Sequence, residues 1–335
     1  MKKHVFLLLF LGLIPLLSKE QGTASRAVMP RMRVIVDNDF NGDPDGLFQL
    51  VHLLLSPSVE VRAVIGSRLG DFDPSTTQAD DAVKKATEVL KLLKMAGKVP
   101  VLAGANLPMP NDSTPVSSAG AEFIRQEALR TDTQLPLYVL CGGSLTQIAS
   151  AALLAPSIAD KLTLVWIGGP EYPDLALPPP GPVKIEFNTA TDLGAARAVF
   201  NRTRLPLWQV PRDAYRQLLL PHSQLVTRVK SRGRMGTYLY NTLEAFTAML
   251  GSQLHENTGE TYILGDSPLV LLTALQSSMD ADPSSSRYVR RQAPTLNAHG
   301  TYDANPSGRL IRVYTYLDSN LLFNDFFAKL EMQRN

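Results

Sequence analysis

At 335 residues with 44% hydrophobic side chains, the chain holds enough apolar material for one large α/β core. Its 33 basic and 31 acidic side chains leave a formal charge of +2, and no basic block interleaved with aromatics argues for a nucleic-acid partner. Cys141 has no second cysteine to join, which excludes an intrachain disulfide and leaves stability to packing.

Lys2 and Lys3 precede the short, proline-interrupted apolar run HVFLLLFLGLIPLLS, and a polar stretch with small residues around Ala24 and Ala27 follows. That order predicts a signal peptide over about residues 1–27, export to the periplasm or beyond, and no stable membrane association after its removal. Residues 28–335 are read as a single domain, since no repeat or linker interrupts them.

Within that domain RVIVD (33–37) reads as a strand and LFQLVHLLLS (47–56) as a helix ended by Pro57. VEVRAVIGS (59–67) is the next strand, and ADDAVKKATEVLKLLKMAG (79–97) a long amphipathic helix stopped by Gly97. VPVLAG (99–104), LPLYVLCGG (135–143) and KLTLVWIGG (161–169) are further strands, separated by helices over 119–129 and 144–155. Nearly continuous apolar strands alternating with helices predict an open, mostly parallel sheet with helices on both faces, a Rossmann-like α/β fold. A Pro-rich loop (173–182), a helix (191–201) and a strand (205–210) follow, and 213–256 reads as mostly helical. A buried helix (267–276), a polar loop (281–291), a strand (310–318) and a closing helix (321–332) complete the chain.

The stretch DNDFNGDPDG at 37–46 places Asp37, Asp39, Asp43 and Asp45 directly after the first strand's apolar run. Such turn-rich composition usually marks a solvated loop. Its place argues otherwise, because sites in open parallel sheets form beyond the carboxyl ends of the strands. Gly142-Gly143 and Gly168-Gly169 end two other strands, where bare backbone lets a ligand approach. Clustered oxygens there suit a hard divalent cation, although Phe48 stands where an EF-hand loop carries glutamate. Cys141 reads as a small buried strand residue, and Asp192 as a helix cap. His222, His255 and His299 lack metal-ligand spacing and read as loop or surface residues.

This strand-and-loop resembles the D-x-D-P-G-x-D-D signature of the inosine–uridine-preferring nucleoside hydrolase family. CGGSLTQIASA (141–151) is similar to that family's TGPLTNIA turn and helix, and LVWIGG (164–169) to its glycine-ended strand. IEFN (185–188) is similar to AEFN, and GDSPLVLLTA (265–274) to the HDPLA helix start. The landmarks keep the family's order over roughly residues 31–330.

The resemblance implies hydrolysis of an N-ribosidic bond by water, through an oxocarbenium-like transition state and with Ca²⁺ as cofactor. It implies Asp39 as general base and cation ligand, with Asp266 and the Gly142 main-chain carbonyl as further ligands. Glu186 and Asn188 are implied to hydrogen-bond ribose hydroxyls, and Asp37 to order the loop from behind. Two assignments stay open: Asp43 binds the metal while Asp45 holds ribose, or Asp45 binds the metal while Asp43 turns to substrate. Arg234, Tyr238, Tyr240 and His255 fall in the variable helical region and are candidates for contacting the base. The chain also departs from the pattern. Phe40-Asn41 replaces Pro-Gly, the loop is about two residues longer, and Gly46 stands where the resemblance places a second consecutive Asp, the usual metal-binding carboxylate. Gly265 replaces a histidine, and PPPGP lacks the asparagine expected before EFN.

The expectation is an exported, divalent-cation-dependent hydrolase of nucleosides or related ribosides, a small-molecule enzyme compatible with a homo-oligomer. Its rivals are a nucleoside- or sugar-binding protein on the same scaffold, favoured by Gly46 and Gly265, and a hydrolase of another ribosyl-containing glycoside, favoured by the Pro-rich loop.

Overall fold

The computed structural model describes residues 28–181, 184–253, 259–277 and 284–333; the expected signal segment and His255 lie outside them. Its strands are β1 (Arg33–Asn38), β2 (Glu60–Gly66), β3 (Val101–Ala103), β4 (Leu137–Cys141), β5 (Leu162–Ile167), β6 (Leu207–Val210), β7 (Leu219–Pro221), β8 (Thr261–Ile263), β9 (Arg287–Gln292), β10 (Thr295–Leu296), β11 (Tyr302–Asp303) and β12 (Leu310–Tyr316). Eight of them form one sheet in the order β3-β2-β1-β4-β5-β6-β12-β9. All neighbours in it are parallel except β12 and β9.

The helices are α1 (Asp45–Leu54), α2 (Gln78–Leu92), α3 (Ala119–Ala128), α4 (Thr146–Leu154), α5 (Phe187–Thr191), α6 (Leu193–Asn201), α7 (Arg212–Tyr215), α8 (His222–Gln224), α9 (Gly233–Gln253), α10 (Pro268–Leu271) and α11 (Ser319–Met332). Side chains of a strand alternate between faces, so β1 sends Val34 and Val36 to one apolar layer and Ile35 to the other. The first layer packs under α1, α2, α9, α10 and α11, and the second under α3, α4 and α6. Strands covered on both sides need continuous apolar sequence, which is why these segments were legible. No helix of the described residues is long and apolar enough to cross a membrane.

Several boundaries differ from expectation for local reasons. Helix α2 ends at Leu92, before Gly97, because Lys94 enters the left-handed region at φ 57° and Met95 N–H bonds back to the Leu90 carbonyl. The helix expected over 191–201 divides at Asp192, whose side chain caps α6 by accepting from Ala195 N–H at 2.9 Å. Helical geometry over 267–276 is confined to α10. Residues 287–291, read as loop, belong to the edge strand β9. Edge strands are often charged, and RYVRRQ shows no apolar alternation to betray it.

The topology points to one crevice. Strand order reverses at β1, which lies between β2 and β4. In such sheets the gap beyond the carboxyl ends at that reversal is where ligands bind.

Candidate active site

Four carboxylates gather at the reversal. Asp39 follows β1 directly and is 8% exposed. The main-chain turn that carries the loop onward is closed by Gly42 N–H donating to the Asp39 carbonyl at 2.7 Å. Phe40, in place of the expected proline, is buried in the apolar layer with Leu47 and Phe48 and so pins the longer loop. Asp43 accepts from Asp45 N–H at 3.1 Å and from the Tyr262 hydroxyl at 2.6 Å. Asp45 opens α1, where the helix N-terminus favours an anion, and accepts from Asp266 N–H at 3.0 Å. Asp266 enters from just before α10 and accepts from the Asn38 amide at 2.8 Å. Asp37 is wholly buried behind them, with Gln147 donating to it at 3.4 Å.

The electrostatics follow from burial and crowding. Loss of solvent, then the charge of Asp43, pushes Asp39 up to about 7. Burial lifts Asp43 to about 6 despite its two donors, and Asp37 to about 7. Asp45 and Asp266 are held well above the ordinary carboxylate range, by burial first and then by neighbouring carboxylates. Crowded carboxylates must share protons, take a cation, or be held by neutral donors.

The ribose candidates sit on the adjoining strand ends. Asn188 donates to both the Gly142 and Ile167 carbonyls, each at 2.8 Å, stitching the ends of β4 and β5 together. Glu186 is fully buried and caps α5. Its carboxylate accepts from Gly169 N–H, Asn188 N–H, Thr189 N–H, the Thr189 hydroxyl and the Tyr215 hydroxyl, at 2.8 to 3.2 Å. Glu186 is thus enclosed by its donors, whereas Asp43, Asp45 and Asn188 are part-exposed.

Asp39, Asp43, Asp45, Asp266 and the Gly142 carbonyl, the implied ion ligands, therefore share one crevice, yet as arranged they do not fit a divalent ion. Among the described residues no three Asp, Glu, His or Cys side chains are placed to hold one. The Gly142 carbonyl is engaged by Asn188, and Asp266 by Asn38. The candidates in the helical region also lie elsewhere. Tyr238 bonds Glu88 of α2 at 3.1 Å, Tyr240 lies under the Lys230 ammonium at 4.2 Å, and Arg234 lines an open surface depression beside Tyr238 and Leu92. Cys141 is buried, with its thiol pushed up by burial, as a structural residue requires.

Three site residues escaped sequence reasoning: Asn38, Tyr215 and Tyr262. Asn38 was visible only as the residue between two aspartates. Tyr215 ends α7 and Tyr262 lies in β8, and neither falls within a stretch read as a landmark.

With that geometry in hand, comparison with known proteins is decisive at the family level. The inosine-uridine preferring nucleoside hydrolase family model matches residues 34–303. The chain belongs to that family. Nucleoside hydrolases also supply its structural neighbours. A purine-preferring ribonucleoside hydrolase from Gardnerella vaginalis is 19% identical with a TM-score of 0.71, over 90% of this chain and 99% of the other. The inosine-uridine preferring nucleoside hydrolase from Bacillus anthracis is 16% identical with a TM-score of 0.64, over the same shares. The effector protein XOO4466 has the fold as well, at 16% identity and a TM-score of 0.60, over 91% and 93%. No curated protein sequence matches the chain. As a nucleoside hydrolase by family, the chain is an N-glycosyl hydrolase by class; the family binds a divalent cation and acts on small-molecule nucleosides.

Proposed function

We propose that the protein hydrolyses the N-ribosidic bond of a nucleoside or related riboside, with Asp39 as the general base. The observation that carries this reading is the position of Asp39 at the topological reversal, with bare Gly143 beside it. A β-carbon at Gly143 would lie 3.1 Å from the Asp39 carboxyl carbon. In the reaction the water oxygen attacks C1′, the C1′–N bond breaks with its electron pair passing to the base nitrogen, which takes a proton from solvent, and Asp39 takes the proton that the attacking water gives up. Asp45 and Asn188 hold ribose hydroxyls, and Glu186 fixes the wall that positions Asn188. No step is routed through calcium here, because among the described residues no three side-chain ligands converge. The N-terminal charge and apolar pattern supports export as the setting of this activity.

Capture without cleavage is the second reading, and Gly265 favours it. A β-carbon there would lie 3.3 Å from both an Asp45 oxygen and the Tyr215 ring, so no histidine at that position protonates a departing base. One assay separates the two. Purified protein is incubated with inosine, uridine, adenosine and nicotinamide riboside, with and without Ca²⁺, and released base is quantified. Cleavage of any one supports the hydrolase, with Asp39→Asn lowering kcat on the order of 10²- to 10⁴-fold while the fold persists. Thermal stabilisation by a riboside with no base released would overturn it in favour of capture.

A further inference from the structure

Asn38 is the last residue of β1 and is wholly buried. Its side-chain carbonyl accepts from Asp39 N–H at 2.9 Å, and its amino group donates to Asp266 at 2.8 Å. The first contact sets the second, since an amide turned the other way would press oxygen against oxygen. The space it occupies is opened by two glycines. A β-carbon at Gly142 would lie 2.4 Å from the Asn38 amide nitrogen, and one at Gly46 2.8 Å from it. The same Gly46 β-carbon would lie 3.3 Å from an Asp266 oxygen. Position 46, the backbone at 142 and Asp266 are where the resemblance places an ion's ligands, and all three abut this one amide.

We infer that Asn38 and Gly46 are a coupled replacement of the family's cation contact: the Asn38 amide holds Asp266 in place, and the crevice keeps no tightly bound divalent ion beside it. A carboxylate at 46 would meet the amide sterically, and a bare Gly46 without the amide would leave Asp266 facing only other carboxylates. Asn38 acts here as a positioning residue. The inference rests on the crevice being the hydrolytic site, and its test reads ion binding apart from turnover.

The exported form, residues 28–335, is purified in Ca²⁺-containing buffer, dialysed, and assayed for bound metal by atomic emission. It is then titrated with Ca²⁺ by calorimetry and thermal unfolding. The expected result is far less than one ion per chain and no shift of the unfolding midpoint at ~1 mM Ca²⁺. Asn38→Asp, isosteric but without the donor, is expected to unfold several degrees lower in EDTA and to regain that loss with Ca²⁺. Retention of about one ion per chain by the wild type, or saturable binding with Kd below ~10 µM, overturns the inference. So does an Asn38→Asp variant as stable in EDTA as the wild type. A wild type that binds no ion and also releases no base from any riboside leaves this inference standing and removes the proposed activity.

Discussion

Burial and pairing act against each other at His52, which lies in α1 facing α11. Its ring is 2.7 Å from the Asp325 carboxylate, a contact that favours the imidazolium, yet burial wins and pushes the group down to about 4. Lys329, which pairs with the same carboxylate at 2.5 Å, adds to the lowering. A histidine kept neutral in the fold contributes stability that is present above its unfolded pKa and lost as pH falls through the folded one. Between pH 6.5 and 5 the unfolded chain takes up a proton that the fold refuses, a loss of about 2 kcal/mol. His52→Gln is expected to flatten this part of the curve of unfolding midpoint against pH. An unchanged slope would show that other groups set it. In the crevice burial likewise dominates: Asp39 gains its basicity from enclosure first and then from the negative charge of Asp43.

At the scale of elements, the crevice depends on how closely helices approach the strand ends. Gly66, the last residue of β2, is the sharpest case. A β-carbon there would lie 2.6 Å from Val83 N, 2.8 Å from the Ala79 carbonyl and 2.9 Å from the Ala82 carbonyl carbon, all backbone of α2. Backbone cannot rotate away as a flexible side chain does, so Gly66→Ala is expected to cost about 1–3 kcal/mol by displacing the helix. Chemical denaturation measures it; an unaltered midpoint would mean that α2 shifts freely. At the far edge, β9 carries Arg287, Arg290 and Arg291, and Arg312 of β12 is stacked on Trp208 and Tyr288 at 4.3 and 4.5 Å. Cationic side chains along an edge discourage pairing with other chains, and the same charges hid the strand from a search for alternating apolar residues.

For the whole molecule, export remains the property most open to a direct check. Expression of the full chain in a secreting bacterium is expected to yield a processed protein beginning near residues 24–28, read by intact mass of the exported fraction. A chain retained in the cell with residue Met1 intact would refute the proposal. Of the two N-glycosylation sequons, Asn111-Asp112-Ser113 and Asn201-Arg202-Thr203, both asparagines are exposed, but the side-chain polar atoms of Asn201 are both bonded to Leu296, at 2.9 Å each. The family match and the fold describe one catalytic class, and the sheet's strand order explains why its carboxylates meet where they do.

How much was readable in advance follows from the range of each interaction. Apolar runs with β-branched residues, and helical periodicity between them, determined the parallel sheet because those patterns are local consequences of being buried on both faces. Asp39, Asp43 and Asp45 were legible as a group for the same reason, since they follow one strand within a few residues. What they touch was not. Asn38 meets Asp266 across 228 residues, and Tyr262 meets Asp43 across 219. Glu186, the expected ribose contact, also proves to cap a five-residue helix, with Gly169, Thr189 and Tyr215 donating to it. The sequence by itself determined where the carboxylates stand along the chain. Only the tertiary structure decided which donors answer them, because hydrogen-bond partners are chosen by the packing of distant segments, and a linear pattern carries no record of that distance.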